Sequence, residues 1–571
     1  MTLEELISIA NGEKEADLVL KNGRIINVFS GEITEGDVAI AGNKIVGIGD
    51  YKGIKEIDLK GAYISPGFID GHIHLESSMV TIAEFTKAVV PHGTTTVIAD
   101  PHEIANVLGL DGIKFILNSS KYNPLSVYVM LPSCVPATSM ETSGSELNSF
   151  DLEGMFQIKW IKGIGEMMNY PGVIQRSPDV LAKLNMAPAW SRIDGHAPGL
   201  RGKALSAYIS AGIRSDHECT TVEEAREKLR QGMHIMVREG STARNLEALL
   251  PLITPINSRY CFFVTDDKDP ADLLTEGHID FIIKKAIKLG LPPIIAIQMA
   301  TINPASYFYL TEKGAITPGY QADIVIFNNF KDFKILKVFR EGELIAEEGE
   351  FLWKSKRPVQ HILRSSVNVA WNKSKNFTIP DRGKKIKVIG VIPQQIITEK
   401  LIVTPKVENG NIVPDIERDI LKIAVIERHL ASGNVGIGMV KGFGLKKGAI
   451  GSSIAHDSHN IVIVGTNEGD MLLALKTIEH LSGGIVAVAE GKVLETLPLP
   501  IAGLISDLPI EQVKDKLESL NTIVKKDLGS FLCNPFMTLS FMALPVIPAL
   551  KLSDKGLIDV EQFSFTSIYE D

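Results

Sequence analysis

The sequence predicts an α/β chain built around a parallel (β/α)8, TIM-like barrel. A small β-sandwich domain made from flanking segments and a C-terminal α/β (α+β) domain complete it. Three observations predict this. Across residues 66–315, apolar runs such as TTTVIADP, LSVYVMLPS, IKWIKGIGE and YCFFVTDD alternate with helical stretches such as TIAEFTKAVVPHG and TVEEAREKLRQG. That alternation makes right-handed βαβ units and a parallel sheet. The stretch is about 250 residues, the ordinary size of such a barrel. Finally, polar residues follow the apolar runs directly: His72 and His74, Asp100 with His102 and Glu103, Glu166, His217, and Asp266 with Asp267. These are C-terminal strand ends, where barrel loops build sites, although a doubly wound sheet would put ligands there too.

Before the barrel, ADLVLKNGRIINV holds Asn22-Gly23 between two apolar runs and DVAIAGNKIVGIG holds Gly42-Asn43, both read as hairpin turns. A similar β-rich run recurs at 319–349. One composite β domain is therefore expected from residues 1–65 and 316–370, with the barrel at 66–315 inserted in it. After the polar connector WNKSKNFTIPDRGKK, residues 371–385, strands such as KIKVIGVI and HNIVIVGT mix with helices such as GDMLLALKTIEHL and IEQVKDKLESL. These predict a separate domain over 371–571.

The totals agree. A chain of 571 residues is too long for one core. A net charge of −9 offers no basic footprint for nucleic acid. Cys134, Cys219, Cys261 and Cys533 form no CxxC pair, against a disulfide scaffold or a thiolate zinc site. The start MTLEELISIANGEKEADLVL is unlike a signal peptide, and the richest apolar stretch, FMALPVIPAL at 541–550, is short and broken by prolines. The expectation is a cytoplasmic protein with no membrane partner.

The chemistry starts with FIDGHIHLE. Side chains at i and i+2 of a strand point the same way, so His72 and His74 converge, and neutral imidazole is a common metal ligand. GIGEMMNYPG sets Glu166 in a Gly-rich turn, DGHAPG sets His196 between glycines and a proline, IRSDHECTT carries His217 and Glu218, and VTDDKDP carries Asp266. Asp216 there reads equally as a helix N-cap, and VTDD as a plain turn. Histidines with carboxylates and no thiolates suit Zn, Mn or Fe. In the last domain, Glu427, His429, His456, Asp457 and His459 form a second polar cluster. HDSHN there is either a surface turn or part of a domain closing over the barrel mouth to bind substrate. GIGMVKGFG at 436–444 lacks the Walker and dinucleotide spacings. His74-Leu75-Glu76 matches half of the HxE…PCxxC deaminase signature, but no PCxxC follows anywhere.

In order along the chain, PGFIDGHIHLESSM, TTVIADPHEIANVLG, GIGEMMNYPGV, DGHAPGL, IRSDHECTT and VTDDKDP resemble the adenine deaminases of bacterial and archaeal type, within the metal-dependent amidohydrolase superfamily. SSIAHDSHNIVIVG extends the resemblance into the C-terminal domain. It implies hydrolytic deamination of adenine to hypoxanthine and ammonia by metal-activated hydroxide, in purine salvage. Two divalent ions are implied, manganese or iron preferred and zinc suitable. His72 and His74 would hold one ion, Glu166 would bridge, His196 and His217 would hold the second, and Asp266 would ligate the nucleophilic water and take its proton. Related superfamily members bridge with a carboxylated lysine; here Glu166 stands in that role. Glu103 or Glu218 would protonate the ring, and His456, Asp457 and His459 would contact substrate. Adenine and water are the expected small-molecule partners, and a homodimer the expected assembly. A cyclic-amide hydrolase of the same superfamily and a non-catalytic metal-binding barrel are the alternatives.

Overall fold

The computed structural model describes residues 1–354, 366–371, 377–393 and 395–570. Residues 355–365 of the composite segment and 372–376 of the connector thus lie outside the described residues.

Eight parallel strands make the barrel: Phe68–Ile73, Thr94–Ala99, Ser126–Leu131, Ile161–Met167, Arg192–Gly195, Ser215–Asp216, His234–Arg238 and Cys261–Val264. The first five pair in sequence order, and so do the last three. The Arg214 amide donates to Ile193 O at 3.0 Å between the fifth and sixth strands. The Asp266 amide donates to His72 O, and the His74 amide to Asp266 O, each at 3.0 Å, which closes the eighth strand onto the first. Ile69, Ile98, Met130, Met236, Phe262 and Val264 fill the interior together with Tyr307 and Phe308.

The flanking segments share one nine-stranded sheet, joined where Tyr63–Pro66 pairs antiparallel with Ile324–Phe327. Leu18, Leu20, Val38 and Ile40 pack there in one cluster with Ile64, Ile324, Ile326 and Phe339. Gly42-Asn43 does turn a hairpin, since Ala41 pairs with Lys44. Asn22-Gly23 does not. Ala16–Asn27 runs as one strand, and the register against Glu32–Ala41 slips between Leu20 and Gly23 while Asn22 adopts φ 56°. The same left-handed preference that favours a tight turn here makes a β-bulge.

An eight-stranded sheet forms the last domain, backed by Glu468–His480 and Ile510–Lys526. It meets the barrel at several points. The Ile510 amide donates to Glu84 at 3.0 Å, Lys87 pairs with Glu511 at 2.8 Å, and Thr142 N donates to Asp554 at 2.9 Å. The Asn460 amide group reaches Thr142 O at 2.8 Å.

Candidate metal centre at the barrel mouth

Asp70 sets the first strand. Its carboxylate accepts from the amides of His72 and Thr265, each at 3.2 Å, and from the Thr265 hydroxyl at 2.5 Å. A Cβ on Gly71 would come within 2.5 Å of the Phe262 ring, so only glycine passes here. Register shifts between Asp70 and Ile73. His74 Nδ1 is held 3.0 Å from Asp100 O, which turns its Nε2 lone pair into the mouth. Among the described residues, His72 Nε2 is buried without a hydrogen-bond partner.

Both imidazoles face Asp266 Oδ1, His72 Nε2 at 3.3 Å and His74 Nε2 at 3.1 Å. Glu166 stands in the middle. Its Oε1 is 3.2 Å from His74 Nε2, and its Oε2 is 2.7 Å from His196 Nδ1 and 3.2 Å from His217 Nε2. Gly165 makes this possible, because a Cβ there would overlap Asp100 Oδ2, the acceptor for the Glu166 amide at 2.8 Å. Donor atoms of His72, His74 and Asp266 lie within 4.8 Å of one another, and so do those of His72, Glu166 and His217. All are buried except His196, which is partly so. Converging nitrogens and carboxylate oxygens, one nitrogen orphaned, fit divalent cations.

Sequence reading missed Arg238. From the end of the seventh strand it donates to Asp266 Oδ2 at 2.8 Å and engages both oxygens of Glu218. An arginine ending a strand carries no local signal of that. Burial, the largest influence, pushes the Asp266 carboxyl up, but the Arg238 guanidinium together with His72, His74 and His217 outweighs it and holds the group well below the usual carboxylate range. Glu218 is lowered in the same way, against its own burial and with Arg238 the leading cause. Asp216 is not the N-cap of Val222–Arg230; Thr221 is, accepting from Glu224 N at 3.3 Å. His102, just past the end of the second strand, also enters the site. Its Nδ1 lies 3.5 Å from both Asp100 and Glu166, and its Nε2 lies 3.9 Å from Asp457.

The second cluster divides. His456 Nδ1 reaches Glu103 Oε1 at 3.1 Å, and donor atoms of Glu103, His456 and His459 lie within 4.8 Å of one another. HDSHN is thus buried against the barrel mouth and is no surface turn. His459 Nδ1 accepts from the Ala455 amide at 3.2 Å, so its Nε2 carries the hydrogen and stands as a donor. Glu427 and His429 instead support the loop. Glu427 accepts from Leu430 N at 2.6 Å and Ser432 N at 2.7 Å, and His429 Nε2 meets Ser458 O at 2.7 Å. Fully buried Arg428 donates to the carbonyls of His459, Ser366 and Ala502. Nothing local in the sequence marks Arg428, between Glu427 and His429, for this role.

Residues 63–345 match the amidohydrolase family, and residues 395–564 match the adenine deaminase C-terminal domain. An adenine deaminase of Dehalococcoides mccartyi is 51% identical over 562 residues, 98% of each chain. Adenine deaminase 2 of Carboxydothermus hydrogenoformans is 48% identical over 566 residues, 99% of each chain. The solved L-hydantoinase of Arthrobacter aurescens aligns with a TM-score of 0.46 and 16% identity, over 60% of this chain and 98% of that one.

Proposed function

The chain belongs to the adenine deaminase family of the metal-dependent amidohydrolases, and on that premise we propose how its own residues carry the reaction. It hydrolyses adenine to hypoxanthine and ammonia; a cyclic-amide hydrolase and an inert metal-binding barrel are not favoured. The observation that supports the division of roles is the convergence of His72, His74, Glu166, His196, His217 and Asp266 on one buried spot.

Two divalent ions per chain, manganese or iron by preference with zinc also suited to the donors, would be held by His72 and His74 on one side and His196 and His217 on the other, with Glu166 between, and would acidify water and stabilise charge on the ring. Asp266 takes the proton of the attacking water. Arg238 on its other oxygen keeps it ionised for that task. Water oxygen bonds to the purine six-carbon, the carbon–nitrogen bond breaks, and the amine leaves as ammonia once protonated.

Of the two carboxyls considered for ring protonation, Glu218 is occupied on both oxygens by Arg238. Glu103, paired with His456, is the better proton carrier: the proton rests on His456 and passes through Glu103 to the ring. Asp457 and the His459 Nε2–H group would contact the purine edge, and the loop carrying them excludes bulk water.

The domain division proposed is 1–65 with 316–370, 66–315, and 371–571. We further propose a homodimer in the cytoplasm, in keeping with four free cysteines; no helix among the described residues is long and apolar enough to cross a membrane. The test of the reaction is to strip the protein with chelator, reload it with manganese, and follow hypoxanthine from adenine beside ring opening of a hydantoin. Hydantoin opening without hypoxanthine would move the chain to the rival activity.

A further inference from the structure

Lys228 lies on the helix Val222–Arg230, at a position that reads as one more charge in a polar helix, yet its side chain is completely buried. Its ammonium makes three contacts that use all its donors: Ala197 O at 2.7 Å, Asp216 Oδ2 at 3.0 Å and Glu224 Oε1 at 2.7 Å. The partners close a ring. Asp216 Oδ1 accepts from Ala197 N at 2.8 Å, and Asp216 Oδ2 accepts from Glu218 N at 3.2 Å. Glu224 Oε1 also accepts from Gly199 N at 2.8 Å.

Ala197 is the residue after His196, and Asp216 the residue before His217. One buried cation therefore ties together the two strand ends that present these histidines, whose rings are 5.4 Å apart. His72 and His74 depend on a different set, Asp70, Thr265 and Asp100 O, none of which Lys228 contacts.

We propose that Lys228 is a positioning residue for the ion held by His196 and His217, fixing their separation and leaving the His72–His74 ion to its own supports. The proposal rests on the two-ion reading above. Groups that orient ligands without touching the metal commonly control affinity by about 10- to 100-fold. A buried ammonium shared by two carboxylates and a carbonyl is a stiff brace, because removing it leaves Asp216 and Glu224 uncompensated.

The experiment is calorimetric titration of manganese into chelator-stripped full-length protein, wild type against Lys228→Met and Glu224→Gln, with thermal melting of each. Wild type is expected to show two sites. Lys228→Met should keep one at wild-type affinity and weaken the other at least ten-fold, with Glu224→Gln weakening that same site less. A merely structural lysine would lower the melting temperature and weaken both sites together, which would overturn the proposal. Two wild-type affinities in Lys228→Met would also overturn it. Should Lys228→Met fail to fold, unchanged affinities in Glu224→Gln decide against it and a selective weakening decides for it. A single site in wild type removes the two-ion reading itself, a result distinguishable from the others.

Discussion

His456 Nδ1 lies 3.1 Å from Glu103 Oε1, a contact that joins the C-terminal domain to the helix after the second barrel strand. Burial, the largest influence, would lower the His456 pKa, but the charge and hydrogen bonding of Glu103 together with the charges of Asp267 and Asp457 outweigh it and raise the group to about 9. Burial, the largest influence, would raise Glu103, and the charge and hydrogen bonding of His456 together with nearby His459 and His74 outweigh that and hold it below the usual carboxylate range. The two halves of the pair thus keep each other charged.

Stability should follow that pair. The raised His456 pKa contributes fully below the ordinary imidazole value and is lost as pH climbs through about 9. Lowered Glu103 contributes above the ordinary carboxylate value and is lost only in acid. The unfolding free energy of wild type minus that of Glu103→Gln, measured by chemical denaturation, should therefore shrink between about pH 6.5 and 9. A difference that stays flat or grows over that window contradicts the pairing.

The loop should matter to turnover. His456→Ala and His459→Ala are each expected to lower kcat/KM by about ten- to a hundred-fold, or about 1–3 kcal/mol, with metal content unchanged. Wild-type kinetics in both variants would leave the C-terminal domain a supporting role.

Arg238 braces two buried carboxylates at once. Arg238→Met should destabilise the fold by about 3–5 kcal/mol, since both anions lose their counter-charge. The Asp266 pKa should also rise without that guanidinium, so the acid limb of the rate–pH profile moves to higher pH. Denaturation and a pH profile on the same preparation read both effects, and an unmoved acid limb argues against Asp266 as the base.

His72→Ala and His196→Ala should each lose bound metal and deamination while the chain stays folded. Elemental analysis beside circular dichroism checks this, and normal metal stoichiometry with full activity would remove either residue from the ligand set.

What could be read from sequence, and what could not, divides by range. His72 and His74 were legible because strand periodicity alone aims them together, and the polar residues after apolar runs followed from parallel-barrel geometry. Arg238 and Lys228 were not, because each sits where an exposed basic residue is ordinary. Only the fold brings Asp266 and Glu218 to the first and Asp216 and Ala197 to the second. Asn22-Gly23 misled for the opposite reason. Its local conformation was as expected, but whether a left-handed residue makes a turn or a bulge depends on the partner strand, here Glu32–Ala41.

The most direct test titrates manganese into the chelator-stripped enzyme while hypoxanthine and ammonia are both measured from adenine. Activity should be absent at the start, rise until two equivalents are bound, and give one ammonia per hypoxanthine throughout. Full activity in the stripped protein, a plateau at one equivalent, or bound metal with no hypoxanthine formed would contradict a two-ion hydrolytic deaminase.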